Sequence, residues 1–205
     1  MAINAATPEA PRRRSSALLL ALLFLLPLAA AFYLYYGPVA WRPARLVNHG
    51  ALIDPPRPLP EVVLPTLDGG HTAPDFLRHR WTLIYVGRGD CDTRCHEALY
   101  QIRQVRLALN ADMERAQRLF IAADPCCDRA FLEREHPGLV VVRADDPATA
   151  RVLSLFPGDA GALADAGRIY VVDPLGNLMM MHPRDSNPKF LLEDLKRLLK
   201  LSQIG

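Results

Sequence analysis

Trp81-Thr82-Leu83-Ile84-Tyr85-Val86-Gly87-Arg88-Gly89-Asp90-Cys91-Asp92-Thr93-Arg94-Cys95 decides the reading of this chain. Residues 81–86 form a continuous apolar run rich in β-formers, the pattern of a strand buried on both faces. Gly87 to Asp90 is a loop. From Asp92 to about Met113 the chain reads as a helix, with Leu99, Ile102, Val105, Arg106 and Leu109 at helical spacing and the polar residues opposite. The two cysteines thus stand where a buried strand passes into a helix. Their i, i+4 spacing predicts both sulfurs on one side of the first helical turn. Helix-terminal N–H groups favour thiolates, and Arg88, Arg94 and His96 add positive charge nearby. Close paired thiols of this kind can exchange with another disulfide. They can also hold a soft ion such as Cu(I). A structural disulfide without turnover is the plainer alternative.

Outward from this stretch the order is α/β. Glu61–Leu64 is a short strand candidate, followed by a turn at Leu67-Asp68-Gly69-Gly70. After the long helix come a buried strand at Arg118–Ala122, a helix at Arg129–Glu135, a strand at Leu139–Val142 and a short helix at Ala148–Leu155. Arg168–Val172 and Leu178–Met181 are two strands joined at Asp173-Pro174-Leu175-Gly176-Asn177, a hairpin turn. Asn187 caps a last amphipathic helix with Phe190, Leu191, Leu195, Leu198 and Leu199 inward. Strand, helix, strand and helix followed by a hairpin and a closing helix is the order of a thioredoxin-like fold, a central mixed sheet flanked by helices.

Ahead of the domain lies Ala17–Tyr36, twenty residues without a charge. At about 1.5 Å per residue it spans the ~30 Å hydrocarbon core of a bilayer, and Pro27 is tolerated there. Tyr33, Tyr35, Tyr36 and Trp41 gather at its far end as an interfacial belt. Arg12, Arg13 and Arg14 precede it, so the positive-inside rule keeps residues 1–16 in the cytoplasm and exports the rest. A cleaved signal peptide ending near Ala29-Ala30-Ala31 is the competing reading, against which the length of the apolar run counts. Residues 37–60 carry six prolines and no apolar period, a tether between anchor and a domain at 61–205. Without the three N-terminal arginines and Glu9, 21 residues of each charge sign remain. A balanced chain without a basic block gives no reason to expect nucleic acid as partner.

With these motifs in place, the exported domain resembles the Sco (SenC) family, thioredoxin-like copper proteins that help assemble the copper centre of cytochrome c oxidase. The likeness runs from about Asn48 to the C-terminus. It rests on Leu59-Pro60 before a short strand, on the strand 81–87, on the Cys-x-x-x-Cys opening a helix, and on Ile169-Tyr170-Val171-Val172-Asp173-Pro174-Leu175-Gly176. Leu99–Arg106 is further similar to small membrane proteins of bacterial oxidase clusters. The resemblance implies an inner-membrane protein with its domain in the periplasm. It implies Cys91 and Cys95 as a redox pair or Cu(I) ligands, copper as the bound metal, and an oxidase subunit or other copper or thiol proteins as partners. The family places a histidine about five residues before the tyrosine of the late strand, and here that position is Asp165. The cis proline of thioredoxin-type oxidoreductases is also missing from this loop, and a peroxidase would have Thr or Ser where Arg88 stands. Three readings follow: a Sco-like assembly protein, a membrane-tethered thiol–disulfide oxidoreductase, and a redox-inert interaction module.

Other residues fit the site less directly. His96 shares the helix turn of Cys95, and His182 could replace the missing histidine only if the hairpin folds toward the cysteines. Adjacent Cys126 and Cys127 are strained if bonded to each other and otherwise offer a resolving thiol or further ligands. An isolated buried cysteine beside an incidental one is the simpler account. Met179, Met180 and Met181 alternate along a strand, so they cannot converge on one ion. His49, His71, His79 and His136 fall in loops or at element ends.

Overall fold

The computed structural model describes residues 12–37, 47–125, 127–202 and 204. The chain divides into two units, 1–47 and 48–205. The first contains helix α1, Arg12–Tyr36, closed by a hydrogen bond from the Gly37 amide to the Tyr33 carbonyl. Its segment Ser16–Tyr36 is long and apolar enough to cross a membrane, and no part of it is buried by protein. An apolar helix with a solvent-facing surface on every side is unstable in water and stable in lipid.

The second unit is built on six strands: β1 (Ala51–Pro58), β2 (Trp81–Gly87), β3 (Ala116–Ala122), β4 (Leu139–Arg143), β5 (Ile169–Val172) and β6 (Asn177–His182). Their spatial order is β1-β6-β5-β2-β3-β4. β2, β3 and β4 run parallel, β5 is antiparallel to β2, and β6 and β1 continue antiparallel. β2 lies centrally and all seven of its residues are buried, as its unbroken apolar run requires. The helices are α2 (Thr93–Leu107), α3 (Arg129–Glu135), α4 (Pro147–Leu153), α5 (Ala160–Ala166) and α6 (Pro188–Leu201). Leu83 and Tyr85 of β2 face a core built with Leu99 and Ile102 of α2 and Leu191 and Leu195 of α6. The alternate residues Ile84 and Val86 face a second core with Val152, Phe156 and Leu163. The period of two along β2 thus separates two helical layers.

Side-chain caps set the helix starts. Asp92, Asp128, Asp146, Asp159 and Asn187 each accept a backbone N–H from the first turn of the helix that follows. The hairpin turn forms as expected: Asp173 Oδ1 accepts the amides of Leu175 and Asn177 at 2.9 and 2.8 Å, and Gly176 adopts φ +87°.

Several expectations are corrected. Ala51–Pro58, assigned above to the tether, is the edge strand β1, paired with β6 through a register shift between Leu52 and Arg57. Prolines 55, 56 and 58 lack an N–H, which an edge strand tolerates and a central one does not. Residues 38–46 of the tether lie outside the described residues. Glu61–Leu64 is not a strand; only Pro65 and Thr66 form isolated bridges, to His71 and Val142. The long helix stops at Leu107 and a 3₁₀ turn follows over Asn110–Arg115, because Asn110 takes the left-handed conformation at φ +52°. α5 was not anticipated, because Ala160–Ala166 holds one large apolar residue, Leu163, among alanines, a glycine and an aspartate, and so shows no apolar period. Phe190 points outward and stacks on His49 at 4.2 Å.

Burial makes one histidine an acid-sensitive point. His136, 4% exposed after α3, has its pKa pulled down to about 4 by burial, with Arg118 and Arg103 adding to the shift. The unfolded chain then binds more protons between its own value, about 6.5, and 4. Stability is complete above pH ~6.5 and falls as the pH drops toward 4, by on the order of 2–3 kcal/mol from this group. Denaturant unfolding across this range should show the loss, and His136→Asn should flatten it.

Candidate redox site

β2 delivers the chain to the site. Gly87 and Gly89 allow close packing there: a Cβ on Gly87 would fall 2.5 Å from the Tyr85 ring, and one on Gly89 would fall 2.2 Å from the Pro125 carbonyl oxygen. The Gly89 amide donates to Asp124, and the Cys91 amide donates to the Arg88 carbonyl at 3.2 Å. Cys91 then takes the left-handed region at φ +45°, which few non-glycine residues occupy. Asp92 caps α2 by accepting the Cys95 amide at 3.1 Å.

Cys91 and Cys95 form a disulfide, with their Cα atoms 4.9 Å apart. The placement differs from expectation in one respect. Cys91 precedes the cap and only Cys95 belongs to the helix, as its third residue, so the turn and not a shared helical face brings the sulfurs together. Cys91 is 7% exposed and Cys95 1%. Any reagent entering from solvent therefore reaches the Cys91 side of the bond first.

The expected positive field is largely cancelled. The Arg94 guanidinium donates to Asp92 Oδ2 at 2.7 Å and holds that carboxyl below its usual range. Arg88 lies 3.6 Å from Asp124 and 3.8 Å from Asp90. The helix N-terminus is left as the main source of stabilisation for a thiolate on Cys95. A small cleft beside the cysteine loop is lined by Tyr85, Arg88, Asp92, Arg94 and Asp165, so the end of α5 does lie against this loop. Tyr85 is buried and its hydroxyl is pushed up to about 12 by that burial, then by Asp92. It is a neutral wall of the cleft. Sequence reasoning passed over Tyr85 and the capping role of Asp92. The S/T/D/N rule for helix starts would have found the latter.

The histidines are not gathered here. His96 is exposed and stacks on Phe131 at 4.2 Å, one residue beyond Cys95. His182 is 1% exposed, with Nε2 3.3 Å from Asp194 of α6. Among the described residues no group of three His, Cys, Asp or Glu side chains could hold a metal ion. A Cys₂His site is thus not assembled, while two adjacent thiols, once reduced, suit the low coordination that Cu(I) accepts. Cys127 is half-buried and disulfide-bonded, so it offers no free thiol; Cys126 lies outside the described residues. Met180 is in the core and the Met181 sulfur faces Arg168 at 3.9 Å, so the methionines do not converge.

Residues 81–202, which span the sheet from β2 onward and all the helices of the second unit, match a family described as "Transmembrane-like, thioredoxin-like, C-terminal domain". The chain belongs to that family. No curated protein matches it in sequence. Among solved structures, apo Sco1 from Thermus thermophilus is similar with TM-score 0.60 at 19% identity, covering 76% of this chain and 99% of that one. Yeast Sco1 with copper bound gives 0.60 at 19%, covering 72% and 95%. Bradyrhizobium japonicum ScoI with copper bound gives 0.53 at 24%, covering 68% and 98%. At these identities the likeness establishes the thioredoxin-like fold.

Proposed function

We propose that this family member is a membrane-anchored, Sco-like accessory protein of cytochrome c oxidase assembly. In this reading α1 holds it in the inner membrane with the arginines in the cytoplasm and the domain in the periplasm. Its Cys91–Cys95 pair cycles between disulfide and dithiol and, when reduced, carries Cu(I) as cargo. The observation that carries the reading is the disulfide at the junction of β2 and α2, in a fold shared with copper-bound Sco proteins.

In the exchange step a client thiolate attacks the more exposed Cys91 sulfur. The S–S bond breaks and its electron pair leaves on the Cys95 sulfur, at the N-terminal turn of α2, where backbone amides favour the anion. A second client thiolate then attacks the client sulfur of the mixed disulfide and releases Cys91. The client dithiol becomes a disulfide, and the pair takes up two electrons and two protons. Copper loading needs only the reduced form. Two sulfurs suit Cu(I), whereas Cu(II) prefers nitrogen and oxygen donors in tetragonal array, and the Asp165 carboxylate across the cleft is a poor substitute for imidazole.

Titration of the reduced full-length protein in detergent with Cu(I) against a competing chelator should show one ion per chain, absent in Cys91→Ser. Cu(II) should not be retained, and Asp165→His should restore its retention. Absence of Cu(I) uptake would overturn the cargo role and, with exchange intact, leave a thiol–disulfide oxidoreductase. Tight Cu(II) binding by the unmodified protein would instead demand a histidine ligand, with His96, next to Cys95, the first to replace.

A further inference from the structure

Arg118 of β3 is 3% exposed and lacks the partners such burial demands. Its Nη2 donates to the Pro137 carbonyl oxygen at 2.6 Å, while Nε and Nη1 are buried without a partner. The charges around it are of its own sign. Burial first, then Arg106 and Arg103 of α2, lower the Arg118 guanidinium to about 10, so it stays cationic at neutral pH. Arg106 is matched by Glu114 at 3.2 Å. Arg103 donates to the Glu135 carbonyl, and among the described residues no carboxylate pairs with Arg103 or Arg118. A buried charge without a counter-charge is among the most destabilising features a core can hold.

The same region opens to solvent through a groove of about 380 Å³ between the Thr66–Asp68 turn, α3 and β4. Leu67, Leu132, Leu139 and Val141 make its walls apolar, and it ends at His136, Pro137 and Gly138. His136 Nδ1 is also buried and unpartnered. Gly138 adopts φ +75°, and a Cβ there would meet only Arg118 Nη2, at 3.9 Å. Arg118 does not itself line the groove, but the side of Gly138 that a Cβ would occupy is clear of other heavy atoms as far as Arg118 Nη2, which stands directly behind the groove's inner end. The acids on the rim are engaged: Glu133 holds Arg129 at 2.7 Å, and Asp68 accepts the Thr66 hydroxyl and the Gly70 amide.

We infer that the inner end of this groove binds a carboxylate carried on an apolar body, its oxygens taking the unmet hydrogens of Arg118 and His136. Apolar walls favour such a ligand over inorganic phosphate, whose second charge and hydration would find nothing along the groove. Arg118 lies four residues back along β3 from Ala122, the partner of Gly87, so the guanidinium-bearing position is about 13 Å along the sheet from the cysteine end. The carboxylate can come from a free branched-chain acid or from the C-terminus of a polypeptide ending in an aliphatic residue.

Calorimetric titration of the full-length protein in detergent at fixed ionic strength separates these sources. The probes are 3-methylbutanoate, its neutral amide, and N-acetyl-Ala-Leu-Val as free acid and as amide. The expected result is saturable one-to-one binding of 3-methylbutanoate, none of its amide, and at least tenfold weaker binding in Arg118→Met. Gly138→Asn, which keeps the left-handed backbone and fills the passage, should lose binding equally and serves if Arg118→Met does not fold. A free-acid peptide that binds at least tenfold tighter than 3-methylbutanoate assigns a chain terminus as ligand; equal or weaker binding assigns the small acid. No saturable heat in the folded wild type, or equal affinity in the variants, overturns the site and leaves water as the partner of Arg118.

Discussion

Cys95→Ser should abolish two-electron exchange with a dithiol client, because the variant has no disulfide for the client thiolate to open. Given an oxidised client instead, the Cys91 thiolate should attack the client disulfide, expel one client thiolate and arrest as a mixed disulfide, since no second thiol exists to release it. Cys91→Ser should remove the reaction entirely, because the buried sulfur of Cys95, 1% exposed, is out of a client's reach. Both variants also lose the cross-link. Closing a loop of about five residues removes roughly 2 kcal/mol of chain entropy from the unfolded state, so each variant should be less stable than the oxidised wild type by about that amount. Denaturant unfolding under oxidising and reducing conditions measures it, since reduced wild type should match Cys95→Ser. A serine variant that still turned over a dithiol client would place the chemistry elsewhere.

Asp194→Ala should be the most destabilising single substitution outside the apolar core, by about 3–5 kcal/mol. Asp194 of α6 is 2% exposed and accepts the His49 amide at 2.9 Å and the Gly50 amide at 2.8 Å. It also stands 3.3 Å from His182, whose pKa is lowered by burial and raised in part by this carboxylate. Alanine leaves two amides and an imidazole buried without that partner. The contact needs Gly50, where a Cβ would lie 2.6 Å from His182 Nε2. Because His49 and Gly50 lead directly into β1, the loss should show first as faster amide exchange at the β1–β6 ladder. Asparagine keeps one acceptor oxygen and should recover part of the stability. A loss below about 1 kcal/mol would mean that β1 is held by its ladder alone.

The parts of the fold legible in the sequence were those whose signal is local. The apolar run of β2, the start of α2 and its inward Leu99, Ile102 and Val105 are legible, as are the Asp173–Asn177 turn and the Asn187 cap, because each is written in consecutive residues; the end of α2 at Leu107 is not. β1 was not, because Pro55, Pro56 and Pro58 read as tether, and only the neighbouring β6 makes them a strand. At the site, the sequence located the cysteine pair, and the family resemblance singled out Asp165, which the structure places in the same cleft as Arg88, Asp92 and Arg94; the surroundings were misjudged. The cations of Arg88 and Arg94 were counted without the carboxylates of Asp92 and Asp124 that meet them, one of which comes from the end of another strand. His182 was considered for the cysteines and is instead paired with Asp194, twelve residues further along, in a contact with no sequence signature.

The most direct test is a redox equilibrium on the full-length protein in membranes. Samples held in graded dithiothreitol buffers would be trapped by alkylation, and Cys91 and Cys95 read by mass separately from Cys127. The account predicts one reversible two-electron opening of the Cys91–Cys95 bond in the folded protein, at a potential above about −300 mV, where exchangeable disulfides lie. A pair that stays closed until the domain unfolds would be a structural cross-link, and the proposed function would be wrong.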